Sequence, residues 1–156
     1  MTCEPVAVLL EGSAEARACV LSGPLSFWGG VDSLDGRVID ATHPDRGRVL
    51  AGTILVMPCG RGSSSSASVL AEALRRGTGP AGIVLERPDP ILVVGAIVAR
   101  RLYGAVCPIV VLSGPPIADG CLIRIEAGAE GGFIEIVAPG APDACRPGAP
   151  QPSGTV

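Results

Sequence analysis

The residues best suited to chemistry lie in one stretch, Met57-Pro58-Cys59-Gly60-Arg61-Gly62-Ser63-Ser64-Ser65-Ser66-Ala67-Ser68. Glycine lets the backbone come close to a ligand with no Cβ in the way. Consecutive serines supply hydroxyls, and Arg61 adds a fixed positive charge. The apolar run 53–56 precedes the stretch, and Val69, Leu70, Ala73 and Leu74 follow it at helical spacing. This order predicts a strand, a glycine-rich turn and a helix N-terminus, where the first N–H groups have no partner inside the helix. Such a turn favours an anion or a developing negative charge. It also sits where open α/β sheets place their ligands. The plain structural alternative is a solvated Gly/Ser loop that only caps a helix. A P-loop does not match, since no Lys-Ser/Thr follows the glycines, and a serine hydrolase lacks both the G-x-S-x-G elbow and a convincing base.

Composition bounds the partners. The 156 residues suit one domain, and 47% apolar content supplies its core. With one Trp, one Tyr, two Phe and a net charge of −3, the chain has neither stacking platforms nor surplus cations for nucleic acid. The apolar run 6–10 is too short for a signal sequence, and the uncharged run 90–99 is too short for a bilayer span, so a soluble cytoplasmic protein is expected. Cys3, Cys19, Cys59, Cys107, Cys121 and Cys145 include no C-x-x-C pair. Neither a zinc ribbon nor a local iron–sulfur ligand set is visible, and reduced thiols are expected over a disulfide framework. His43 is the only histidine, so this chain has no metal site of two histidines; its expected role is structural or supporting.

The elements that must position the serine turn follow in chain order. Residues 6–10 and 14–21 read as strands joined as a hairpin by Glu11-Gly12-Ser13. Trp28 stands in a glycine-rich loop, either closing over the core or forming the wall of a ligand or partner site. Asp35-Gly36 marks a turn. Residues 53–57 read as a buried strand, and the helix after the turn, 69–76, ends on Arg75-Arg76-Gly77 with Glu72 and Arg76 paired across one turn. Residues 81–85 form the next strand, which suggests a right-handed crossover. Asp89-Pro90 and Gly104 bound a helix over 91–103. Residues 106–112 are β-rich, and 121–126 with 133–137 form a hairpin around the glycines of 128–132. The folded domain is expected over 1–138, and the Pro/Gly-rich tail 139–156 is expected to be disordered. No fixed-period repeat is present. The fold class is α/β: a mixed sheet or partly open barrel with two helices.

Gly60-Arg61-Gly62-Ser63-Ser64 resembles the turn of the swivel domain in aconitase-type hydro-lyases. The wider pattern includes the segment 23–32 around Trp28, His43-Pro44, the residues 60–66, Asp89-Pro90-Ile91 and Gly95-Ala96-Ile97-Val98-Ala99. It resembles the small subunit of the aconitase X family over residues 21–115. That resemblance implies a swivelling β/β/α domain forming half of an active site, with an iron–sulfur centre and most substrate contacts on a large subunit. It makes Ser63 the candidate base, with Gly62, Ser64, Arg61 and Ser65 as candidate substrate contacts. In the aconitase turn an arginine follows the two serines; here Ser65 stands in that place, so the resemblance does not extend to di- and tricarboxylate substrates. Two dehydrations are implied instead, of cis-3-hydroxy-L-proline to a pyrroline carboxylate or of mevalonate 5-phosphate. Ala- and Pro-rich composition with Arg over Lys suggests a high-GC bacterium and hence hydroxyproline. A non-catalytic anion-binding or assembly module is the alternative from another class.

Overall fold

Three short apolar runs, Ile54–Met57 (β5), Gly82–Leu85 (β6) and Ile109–Val111 (β7), pair in parallel, β5 beside β6 and β6 beside β7. Strands covered on both faces read as continuous apolar sequence, which is why these runs show no alternation. Ile54, Val84 and Val110 point into one apolar cluster, while Leu55, Met57, Ile83, Leu85, Ile109 and Val111 point into the other. The computed structural model describes residues 3–140.

The remaining strands complete a barrel. Cys3–Leu10 (β1), Gly12–Val20 (β2), Leu122–Gly128 (β8) and Gly131–Ala138 (β9) join the parallel strands in the closed order β1-β7-β6-β5-β2-β8-β9. Two strands belong to both halves. Cys3 to Val6 of β1 pair with β9, and Ala7 to Leu10 with β7; Gly12 to Arg17 of β2 pair with β8, and Ala18 to Val20 with β5. The expected hairpin between the first two strands is therefore corrected. Only Glu11 separates β1 from β2, too little chain for a two-residue hairpin turn, and each strand takes other neighbours. The barrel is likewise closed and not partly open, because β1 and β2 each carry pairing along both edges.

Outside the parallel strands, Ser66–Arg76 (α1) and Pro90–Tyr103 (α2) cover the second cluster with Leu70, Leu92 and Ala96. Val31–Asp32 (β3) and Arg37–Val38 (β4) form a two-stranded ribbon around the Asp35-Gly36 turn. Gly77 and Gly104 end the helices as expected, and Asp89 accepts the N–H groups of Ile91 (2.9 Å) and Leu92 (3.4 Å) at the start of α2. Helix α1 starts at Ser66, three residues before the apolar spacing begins, so the last serine of the run lies inside it. Glu72 takes a two-pronged bond from Arg75 (2.7 and 2.8 Å) in addition to the expected Arg76 at 3.6 Å. The β-rich run 106–112 narrows to Ile109–Val111, and the last hairpin turns on Ala129 and Glu130 alone, since Gly128 and Gly131 still pair.

The five described cysteines carry free thiols: Cys3 exposed, Cys59 half-buried, and Cys19, Cys107 and Cys121 buried. Burial pushes the Cys107 thiol up to about 12, so it stays protonated and inert. No helix among the described residues is long and apolar enough to cross a membrane. The tail beyond residue 140 lies outside the described residues.

Candidate active site

Strand β5 delivers the chain to the serine turn, and three contacts hold it there. The Pro58 carbonyl accepts the N–H groups of Glu86 and Arg87, both at 3.1 Å, tying the exit of β5 to that of β6. Gly60 bridges to Leu25 in parallel, and the Arg61 N–H donates to the Leu25 carbonyl at 3.2 Å. Glycine is required at position 62 twice over: its φ is +83°, and an added Cβ would stand 2.7 Å from Ser26 Oγ. A Cβ on Gly60 would collide with the carboxylate of Asp89.

The four serines are not equivalent. Ser66, Ala67 and Ser68 donate their N–H groups to the carbonyls of Ser63, Ser64 and Ser65 at 3.0 to 3.2 Å, a tight opening turn for α1. Ser65 occupies the cap position in a helical conformation without a side-chain bond; the Ser63 hydroxyl instead accepts the Ser65 N–H at 3.1 Å. Ser66 is buried, and its hydroxyl accepts the Trp28 N–H at 3.1 Å. Ser63 is therefore the hydroxyl that faces the positive end of α1, exposed to solvent on this chain.

Around the turn lies a cleft of about 200 Å³, lined by Arg61, Gly62, Ser63 and Ser66 from the turn, Leu25 beside it, and Asp89, Ile91 and Leu92 from the start of α2. Among the expected site residues the structure brings Arg61, Gly62 and Ser63 into this cleft and leaves Ser64 and Ser65 outside its lining. Asp89 and Ile91 are additions to the expected site residues; the sequence marked them as a helix start and as part of the wider resemblance, and neither signal gave them a place in the site. A larger hollow of about 510 Å³ opens at the carboxyl ends of β2, β5 and β6, but its lining contains no cation, and its one charged residue is Glu86. That hollow offers an anionic ligand no positive side chain.

The Arg61 charge is not bare. Its guanidinium donates to Asp40 at 2.7 Å, and Asp40 also accepts the N–H and hydroxyl of Thr42 at 2.9 and 2.8 Å. The two Thr42 bonds, with smaller help from Arg61 and His43, hold the Asp40 carboxyl below its ordinary value despite partial desolvation. A depressed carboxyl adds stability above the unfolded-state value of 3.8 that is lost as pH falls through the lower folded value. Asp40→Asn is thus expected to lower the urea midpoint at pH 7, with the gap to the parent closing below about pH 3.8. A gap that widens in acid would contradict the pairing.

His43 is buried, with the Asp45 N–H donating to Nδ1 at 3.0 Å and Nε2 lying 3.4 Å from the Gly23 carbonyl. It staples two loops together and forms no pair with the serines, in line with the structural role expected for it. Trp28 is 58% exposed while its neighbour Phe27 is 1% exposed and fills the core. Core closure by Trp28 is excluded; Ser26 Oγ donates to the Trp28 carbonyl at 3.0 Å and Ser66 Oγ accepts its main-chain N–H, fixing the backbone of Trp28 beside the turn. Behind the turn, Gly95 of α2 packs on the opening turn of α1: an added Cβ would lie 2.5 Å from the Ala67 carbonyl oxygen.

Magnitude decides what this turn can do unaided. A helix terminus at an exposed surface stabilises a negative charge by about 0.3–1 kcal/mol, less than one pKa unit. That is too little to make a serine a base in water. Covered and desolvated, the same donors act in a low dielectric and their effect rises several-fold.

The family description that matches residues 4–136 is the aconitase X swivel domain. The chain is 48% identical over 104 residues to the cis-3-hydroxy-L-proline dehydratase of Pseudomonas aeruginosa, covering 67% of this chain and 18% of that one. It is 50% identical over 95 residues to the phosphomevalonate dehydratase small subunit of Methanopyrus kandleri, covering 61% of this chain and 70% of that one. The chain thus spans under a fifth of the first relative and about two thirds of the second. The crystal structure of aconitase X from Thermococcus kodakaraensis, in its holo-form, superposes with a TM-score of 0.77 at 30% identity, covering 88% of this chain and 99% of that chain.

Proposed function

The chain belongs to the aconitase X swivel-domain family, and from that footing we propose that it is the small subunit of a heteromeric hydro-lyase whose Ser63 takes the proton during loss of water from a small hydroxy acid. The observation that carries this reading is the position of one hydroxyl. Ser63 lines the cleft with an exposed hydroxyl that receives the Ser65 main-chain N–H at the start of α1, whereas Ser66, the other serine in the lining, is buried and already holds the Trp28 main-chain N–H. The Ser65 N–H, together with the positive end of α1, lowers the energy of the hydroxyl's anionic form, the condition for it to act as a base. Gly62 lets the main chain approach the substrate, Arg61 presents a guanidinium held in place by Asp40, and Ser64 and Ser65 offer hydroxyls outside the cleft to whatever covers it.

An iron–sulfur centre needs several thiolate ligands together, and no cluster of three or more His, Cys, Asp or Glu among the described residues is placed to hold a metal ion. These residues do not fit that group, and we assign it to the large subunit; the chemistry assigned to this chain is proton transfer and substrate positioning alone.

Cis-3-hydroxy-L-proline is the preferred substrate. The charged side chains a phosphate would meet in this cleft are Arg61, already paired with Asp40, and the Asp89 carboxylate, whereas a protonated ring nitrogen suits that carboxylate. The Methanopyrus kandleri relative keeps mevalonate 5-phosphate as the second candidate. The test is co-expression with the large subunit, followed by dehydratase assays on both compounds. We expect the chain alone to be inactive and the complex to dehydrate the hydroxyproline. Turnover of the phosphate ester instead would reassign the substrate. A stable complex inert towards both would overturn the reading, and phosphate binding by the isolated chain would favour an anion-binding module.

A further inference from the structure

Helix α2 buries Leu92, Gly95, Ala96 and Ala99 and turns Val94, Ile97, Val98 and Leu102 to solvent, the last 67% exposed. The spacing from Val94, three, four and eight residues on, places these four side chains on one face. One turn earlier, Ile91 lines the Ser63 cleft, so the apolar stripe begins at the wall of the site and runs away from it along the helix. Trp28, more than half exposed, is held by its N–H to Ser66 of the same cleft. Exposed aliphatic surface on one helix face, with an exposed aromatic anchored by its main chain at the cleft where that face begins, is the chemistry of a protein interface centre.

We propose that the α2 stripe, with Trp28, is the seat of the large subunit, so that docking and closure over Ser63 are one event. This rests on the small-subunit reading above. The occupant follows from what stands beside this domain in its relatives. The aligned segment is 18% of the Pseudomonas aeruginosa dehydratase, which places a much larger stretch of polypeptide next to it, and the Methanopyrus kandleri relative is named a small subunit. A partner that desolvates Ser63 must cover the wall formed by Ile91, and the stripe is the apolar surface that continues from that wall.

The test measures calorimetric affinity of the purified chain for its large subunit. Val94→Asp and Val98→Asp are each expected to weaken binding by about 10-fold, and the pair by about 100-fold, with an unchanged far-ultraviolet spectrum. Val94→Ala and Val98→Ala, which favour the helix, serve as milder versions and are expected to weaken binding by roughly 3-fold. Parental affinity of the double aspartate variant would overturn the proposal and leave the role of Ser63 standing. Homodimers of the parent that these substitutions break, with affinity for the large subunit untouched, would assign the stripe to a second copy and also overturn it. Failure of the parent itself to bind would overturn this inference and the small-subunit reading together.

Discussion

Ser63→Ala is expected to lower kcat of the assembled enzyme by about 10²–10⁴-fold, the usual contribution of a positioned acid or base. The reading behind it is specific about which oxygen matters. Ser63 is the exposed serine of the cleft lining, its hydroxyl accepting the Ser65 main-chain N–H at 3.1 Å, while Ser66 in the same lining is buried. Alanine also removes that bond at the start of α1, with a stability loss of about 0.5–2 kcal/mol. The two effects separate experimentally, since a stability loss of that size leaves the protein folded at 25 °C and does not touch the rate per assembled complex. Turnover should therefore be normalised to complex measured by size-exclusion chromatography. A variant that assembles and turns over within a few-fold of the parent would remove Ser63 from the mechanism.

The second large effect comes from a residue that touches no substrate. Gly95→Ala places a methyl group 2.5 Å from the Ala67 carbonyl oxygen and 3.0 Å from its Cα. Two terms compete. Alanine is better than glycine inside a helix by about 1 kcal/mol, which would stabilise α2. Against it, both obstructing atoms belong to the main chain of α1 and cannot rotate away, so the helices must separate, with a loss of about 1–3 kcal/mol. The clash wins, and a lower urea midpoint is expected. Ala67 lies in the first turn of α1, so the same separation shifts the N–H groups that face Ser63. A displacement near 1 Å can lower a rate by about 10²-fold, and kcat should fall with stability. A more stable Gly95→Ala protein would show that the helix crossing is looser than described.

Much of the positioning scaffold was legible before any fold was known. The buried runs that became β5 and β6, the Asp89-Pro90 start of α2, the stop signals at Gly77 and Gly104, and a serine turn between strand and helix all follow from neighbouring residues. These signals are local: side-chain periodicity, a missing N–H, a cap within three residues. The resemblance carried by residues 21–115 pointed to the swivel domain that the comparisons bear out.

What was missed has a common cause. The barrel closes because β1 and β2 each divide their pairing between two partners, and nothing in either strand names those partners. Phe27 went inward and Trp28 outward, although the two are adjacent, because the loop is anchored by Ser66, 38 residues away.

By itself, then, the sequence determined the pieces around the turn, since propensity, capping and glycine geometry act over a few residues, while the resemblance to the aconitase turn singled out Ser63. Tertiary structure alone decided that Ser63 and Ser66 line the cleft and that only Ser63 of the two stays exposed, that Arg61 is paired with Asp40 from 21 residues upstream, and that α2 keeps an apolar face uncovered. Those outcomes depend on contacts between segments brought together only when the barrel closes, and spacing along the chain does not encode them.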